Sequence, residues 1–500
     1  MAHSAAALSL TAADATLELT GAPRREGFIW QQIRTAVPCR FADYTPVIQA
    51  IAETILTFVA PVKSLTPSQL REAVVAFALL QQANRRRAVA SHFSVTEDNA
   101  LPADFVRCMG FAAAAYGNMA MNFLEFIPRG LYQSDTLPHL VPGVRGEDVI
   151  RRGQDIAPFT AGFLLLADHH MQTIVLAVRG SFHLNDLITD LTCKLVDCKS
   201  FFPGVQEASC HEGFLLAARA LDSLLREDVE EALRLNAGYS LLLCGHSLGA
   251  GVASVLAALW QNVFHNVGMR CVALAPPCVF TLDAARDISR VVTSVVVGDD
   301  IVSRLSVSSA HDLRDACLHL FQSSVDPENG EVSAYDENKE RLSAHITGST
   351  SDSEVVRYQY TSLERSEELA GVEMFEYSQY TVLGKEGERD EVEKEKEHER
   401  QLLRDLGHVM TTLRTDVMNH TKLYPPGRIV HIIDKRGWEE CNERATGCHS
   451  LEVVSEDQNS VAYLADQLTF SELQLSGSMF SSHMPTACLY KLRDLFPLTS

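Results

Sequence analysis

The chain has 500 residues, 46% hydrophobic and 21% charged, with a formal net charge of −21. This length exceeds what one hydrophobic core usually organises, so one large domain with additions, or two domains, is expected. The acidic balance excludes a general nucleic-acid binder, which needs a basic face to meet phosphates, and disfavours simple electrostatic adhesion to anionic membranes.

Residues 1–45 read as a disordered leader. Their Ala/Ser/Thr-rich start carries Asp14 and Glu18 and has no basic region ahead of an apolar run, so no signal peptide is expected. Residues 46–140 read as a helical region packing on the main domain. Apolar positions recur at helical spacing in IQAIAETILTFV and PSQLREAVVAFALLQQANRRR, with Ser68 a candidate cap behind Pro67. Phe105 to Phe126 reads as one further helix. The most apolar stretch, Phe105 to Ile127, is interrupted by Arg107, Asn118, Asn122 and Glu125, short of the ~18 unbroken apolar residues of a membrane span.

Residues 141–305 carry the first part of an α/β core. PFTAGFLLLADHHMQTIVLAVRGS reads as two strands around an Asp168-His169-His170 turn, and HEGFLLAARALDSLLREDVEEALRL as a helix. The strand YSLLLC runs into a Gly-rich turn and a helix from Ala250 to Trp260, and the strands MRCVALAPP and VVTSVVVG follow. This alternation implies a mostly parallel sheet covered by helices on both faces. Residues 306–420 are polar, include the mixed-charge run KEGERDEVEKEKEHERQ, and read as a partly disordered insertion that gates access to the site. Residues 421–500 return to the core through LYPPGRIVHII, VAYL and a closing helix in SSHMPTACLYKLRDLF. Twelve cysteines lack any CxxC pair, and Cys244 and Cys271 lie in apolar strand-like runs, which fits buried thiols in a reducing compartment.

The chemistry concentrates in LLLCGHSLGAGVAS, where Gly245-His246-Ser247-Leu248-Gly249 fits G-x-S-x-G. A strand before it and a small-residue helix after it make a nucleophile elbow, the turn that lifts Ser247 above the sheet of an α/β-hydrolase fold. A serine hydroxyl needs a base and an orienting acid, expected later in the chain as Asp or Glu and then His. Asp299 and Asp300 both follow a strand end on the elbow's rim, and the chemistry alone does not choose between them. The bases downstream are His311, His319, His345, His398, His408, His420, His431, His449 and His483. His483, in a loop after the last strand-like run, has the position a triad histidine takes; His431, inside RIVHII, reads as a structural histidine. Oxyanion donors are expected at Leu248, by construction of the elbow, and at Ser181 in the Arg179-Gly180-Ser181 loop.

These motifs resemble the class 3 lipases, through VRGS with NDLITDL, HEGF, GHSLGAG and GDDIVSRL. They are more particularly similar to the sn-1-specific diacylglycerol lipases, through AAAAYG, LAPP, LYPPGRIVHII and FSSHMP; IAETILTFVAPVKSLTPSQL with ALLQQ extends the likeness to about residues 48–496. The resemblance implies a triad of Ser247, Asp300 and His483, with Asp300 preferred because it directly precedes Ile301-Val302, and it places Ser181 in the oxyanion loop. It implies a serine lipase that takes one acyl chain from diacylglycerol, with triacylglycerol lipase, phospholipase A1 and a non-catalytic lipid-binding protein as alternatives. No metal or organic cofactor is required; the sequence holds no EF-hand loop from which a calcium dependence could be read. The expected partners are a lipid ester and, transiently, a membrane or lipid-droplet surface, from a cytoplasmic location. Two departures stand out. The four-helix membrane region of animal diacylglycerol lipases has no counterpart in the sequence, and Ser303 replaces the usual proline.

Overall fold

The computed structural model describes residues 45–83, 104–117, 137–153, 161–180, 194–323, 360–361, 379–380, 407–434 and 459–495. The centre is an eight-stranded sheet in the order β1-β2-β3-β6-β7-β8-β11-β12. These strands are β1 (Val149–Gly153), β2 (Phe163–Asp168), β3 (Thr173–Val178), β6 (Ser240–His246), β7 (Met269–Leu274), β8 (Val292–Val297), β11 (Arg428–Asp434) and β12 (Ser460–Ala465). From β3 to β11 all neighbours are parallel; β1, β2 and β12 add antiparallel edges. Two small hairpins lie outside the sheet, β4 (Leu195–Asp197) with β5 (Ser209–His211) and β9 (Tyr360–Thr361) with β10 (Gln379–Tyr380).

Near-continuous apolar runs such as TIVLAV and SLLLCGH suit strands buried on both faces. The twofold alternation of a strand divides them between two cores. In β6, Leu241 and Leu243 join one core, whereas Leu242 and Cys244 join the other. The first core is covered by α1 (Thr45–Phe58), α2 (Pro67–Ala83), α5 (Glu212–Leu235), α6 (Leu248–Trp260) and α8 (Val307–Ser323). The second is covered by α3 (Phe105–Ala115) and α9 (Pro485–Leu495), with the short α4 (Leu137–Leu140) beside α3. A six-residue helix, α7 (Leu282–Asp287), links β7 to β8.

Two expectations need correction. The helix from Phe105 stops at Ala115 rather than running on to Phe126, because Gly117 takes φ +85 and its N–H turns back to the Ala114 carbonyl. Only glycine enters that conformation cheaply, and it ends helices for that reason. The segment expected to insert from residue 306 begins instead with α8, whose Ala310, Leu313, Ala316, Cys317 and Leu320 are buried in the first core. The mixed-charge run and most of residues 324–406 lie outside the described residues. Among the described residues, no helix is long and apolar enough to cross a membrane.

Candidate active site

Strand β6 ends at His246, and α6 begins at Leu248. The single residue between them, Ser247, takes φ 59 and ψ −132, a conformation that costs a non-glycine residue of order 1–3 kcal/mol. Its neighbours hold it there. The Ser247 N–H donates to the Leu274 carbonyl at 2.9 Å, and its own carbonyl accepts from Ala250 N at 2.9 Å and Gly251 N at 3.2 Å. Glycine is required on both sides. A Cβ on Gly245 would lie 2.5 Å from the Gly249 carbonyl group, and one on Gly249 would lie 2.2 Å from the Val178 carbonyl oxygen. The turn therefore forms only where strand, helix and β3 nearly touch.

Asp300 and His483 reach Ser247 from segments that follow β8 and β12. Asp300 follows β8, is fully buried, and accepts the Val302 N–H on Oδ1 at 2.9 Å. The adjacent Ile301 N–H donates to Met479 O at 3.0 Å, joining the acid loop to the segment that carries His483. His483 closes a 3-10 turn, Ser481–His483. Its Nδ1 lies 3.0 and 3.1 Å from the two Asp300 oxygens, and its Nε2 lies 2.8 Å from Ser247 Oγ. A carboxylate only accepts, so Nδ1 carries the proton, and Nε2 is left to accept from the serine hydroxyl. The structure thus brings Ser247, Asp300 and His483 into one hydrogen-bonded line, with Asp300 rather than the half-buried Asp299 on the imidazole.

Leu248 opens α6, so its N–H belongs to the first turn, where a helix offers no acceptor of its own. Ser181 lies outside the described residues. Its neighbour Gly180 is described: a Cβ there would lie 3.1 Å from Ser247 Cβ and 2.5 Å from His246 O, so that loop passes directly over the nucleophile. Ser303, where the resemblance leads one to expect proline, donates its hydroxyl to Pro276 O at 2.8 Å. It thereby ties the acid loop to the turn after β7.

Sequence reasoning missed three participants in this architecture. Tyr116, at the end of α3, places its hydroxyl 3.2 Å from His246 Nδ1, and His246 Nε2 lies 3.0 Å from the His483 carbonyl oxygen. Burial, with His483 nearby, drives the His246 pKa well below the ordinary imidazole range. Burial also pushes the Tyr116 hydroxyl upward. On the acid side, Tyr463 places its hydroxyl 2.6 Å from Nδ1 of His431, whose Nε2 lies 2.7 Å from Gly298 O. The position of Tyr116 in AAAAYG and of His246 inside the elbow were visible; their contact is tertiary and was not.

This combination of a mostly parallel sheet, a strained serine elbow and a Ser–His–Asp line defines an α/β-hydrolase. Residues 175–309 match the class 3 lipases. Among curated proteins, it is 32% identical to the diacylglycerol lipase-beta of Mus musculus over 164 residues, 32% of this chain and 24% of that one. It is 25% identical to the diacylglycerol lipase-alpha of Homo sapiens over 348 residues, 68% of this chain and 27% of that one. The chain spans about a quarter of the length of these relatives. A lipase structure from Rhizopus microsporus var. chinensis aligns with 20% identity and a TM-score of 0.33, covering 41% of this chain and 69% of that one.

Proposed function

We propose that the chain is a serine lipase that hydrolyses an acyl ester of diacylglycerol to a monoacylglycerol and a free fatty acid. The observation that carries this reading is the hydrogen-bonded line from Ser247 Oγ through His483 to Asp300, set on an elbow that only glycine neighbours permit. In the mechanism, His483 Nε2 takes the Ser247 proton as Oγ attacks the ester carbonyl carbon, and Asp300 steadies the imidazolium. The Leu248 N–H and Ser181 hold the oxyanion. The imidazolium then gives its proton to the departing glyceride oxygen. Water, deprotonated by His483, cleaves the acyl-serine to release the fatty acid. The residues supply every proton transfer, so the reading requires no cofactor. The diacylglycerol preference comes from the names of the relatives. Buried thiols such as Cys108, Cys244, Cys271 and Cys488 support a reducing, cytoplasmic setting, with substrate met at a membrane or lipid-droplet surface.

The test is a panel of mono-, di- and triacylglycerols and phospholipids, with a fluorophosphonate probe reporting the nucleophile. Diacylglycerol should be consumed, and Ser247→Ala should abolish both turnover and labelling while the far-UV spectrum stays unchanged. Continued labelling of Ser247→Ala would overturn the assignment of the nucleophile. A clear preference for triacylglycerol or phospholipid would replace the substrate with one of those.

A further inference from the structure

Two buried tyrosine–histidine pairs flank the triad, and the proton transfers use neither. In the first, His246 Nε2 faces the His483 carbonyl at 3.0 Å. A carbonyl only accepts, so the proton sits on Nε2, leaving Nδ1 to accept from the Tyr116 hydroxyl at 3.2 Å. The Tyr116 oxygen in turn accepts the backbone N–H of Gly180. One side chain thus touches the loop over the nucleophile and the imidazole beside it. The second pair repeats the pattern. His431 Nε2 donates to Gly298 O at 2.7 Å, and Tyr463 Oη lies 2.6 Å from Nδ1. Gly298 takes φ +53, two residues ahead of Asp300, and a Cβ on it would lie 2.8 Å from Ser482 Oγ.

The two loops these pairs hold are the parts of the site without a regular element to support them. His483 ends a three-residue 3-10 turn, and Asp300 comes two residues after Gly298, which is in left-handed conformation. A displacement of about 1 Å at such a group costs roughly 100-fold in rate. The His246 and His483 rings stand 5.1 Å apart, so a charge on His246 would oppose the imidazolium that forms on His483. Burial keeps His246 neutral, as that geometry requires.

We infer that Tyr116–His246 and Tyr463–His431 are two positioning clamps, the first holding the main chain of His483 and the second the main chain that leads into Asp300. In each, the tyrosine hydroxyl selects the tautomer in which the histidine donates to a backbone carbonyl. The inference rests on the hydrolase reading and deepens it: neither clamp touches the ester.

The experiment is steady-state hydrolysis of a short-chain p-nitrophenyl ester by the full chain, with fluorophosphonate labelling in parallel. Tyr116→Phe and Tyr463→Phe should each lower kcat by about 10-fold, the size of one hydrogen bond's contribution, with KM within about 2-fold. His246→Leu should cost about 100-fold in kcat, and His246→Gln, whose amide N–H can still reach the His483 carbonyl, should recover most of that loss. Because Tyr116 acts on His483 through His246, adding Tyr116→Phe to His246→Leu should cost no more than about 2-fold, from the Gly180 contact alone, whereas the two tyrosine variants together should multiply. Wild-type kcat in both tyrosine variants would overturn the inference, as would a further loss of about 10-fold from Tyr116→Phe in the His246→Leu background. If His246→Leu does not fold, the tyrosine variants decide alone, since each removes a single oxygen. Failure of the wild-type chain to hydrolyse or label overturns the hydrolase reading instead, so the two failures are distinct.

Discussion

Two adjacent aspartates with one chemistry take different roles because of where their backbone sends them. Asp300 is fully buried with both oxygens on His483, whereas Asp299 is half-buried in the turn. Replacing Asp300 by Asn puts a donor opposite Nδ1 and favours the tautomer in which Nε2 carries the proton and cannot take one from Ser247. We therefore expect Asp300→Asn to lose about 10⁴-fold in kcat, as neutralised triad aspartates do, and Asp299→Asn less than about 10-fold. Equal losses in two folded variants would leave the assignment without support. At this scale the sequence was most informative for Ser247, because a local rule, glycine at Gly245 and Gly249, accompanies the nucleophile. Asp300 and His483 were legible only as positions after strands. Tyr116 and Tyr463 were not legible as clamps, since no local pattern distinguishes a tyrosine that reaches a histidine from one that fills a core.

Among elements, α8 shows how a polar-looking segment can belong to the core. VSSAHDLRDACLHLFQS has more polar than apolar residues, yet its buried positions form a single stripe of helical spacing. Composition hid it; periodicity over those residues alone would have revealed it. The same helix receives the returning chain. Fully buried Asp312 meets His420 Nδ1 at 2.8 Å and Lys422 Nζ at 2.9 Å, so the two ends of the segment between β8 and β11 are tied together beside α2. Asp312→Asn leaves Lys422, itself mostly buried, without its counter-charge. It should reduce unfolding free energy by about 3 kcal/mol, the lower end for breaking a buried pair because Lys422 retains some solvent. Chemical denaturation checks this, and an unchanged midpoint would show that the tie carries no stability. Helix α3 gives the opposite lesson: Gly117 was in plain view, but an alanine-rich run on its N-terminal side and Met119, Met121 and Phe123 beyond it read as one continuous stripe.

For the whole molecule, the two cores are lined with thiols that cannot ionise in place. Burial pushes Cys271 and Cys488 from 9.0 up to about 12, and Cys108, Cys244, Cys278 and Cys317 upward as well. Raised pKa values in the folded state mean that, above pH 9, the unfolded chain loses protons that the native chain keeps. Unfolding then releases protons, and stability falls with rising pH. We expect Tm to be level between pH 7 and about 8.5 and to fall steadily from pH 9 to about 11, the window set by those thiols. A Tm that stays level through pH 11 would show that the thiols ionise in place. The overall class of fold was readable because alternating strands and helices leave few topologies. The antiparallel edges and the division of helices between the two faces depend on register, which the sequence does not display.

The strand order also governs when activity can first appear during synthesis. Ser247 and His483 meet across 236 residues, and Asp300 and His483 across 183. The nucleophile, its elbow and the strands and helices next to it can emerge from a ribosome long before the base exists. His483 is held only once β12 has paired with β11 and β11 with β8, so the base is delivered by the last edge of the sheet to assemble. Contacts this distant close slowly, because the loop entropy is lost before they form. A nascent chain is therefore a serine turn without a base, and the line from Ser247 through His483 to Asp300 forms only once that edge has paired.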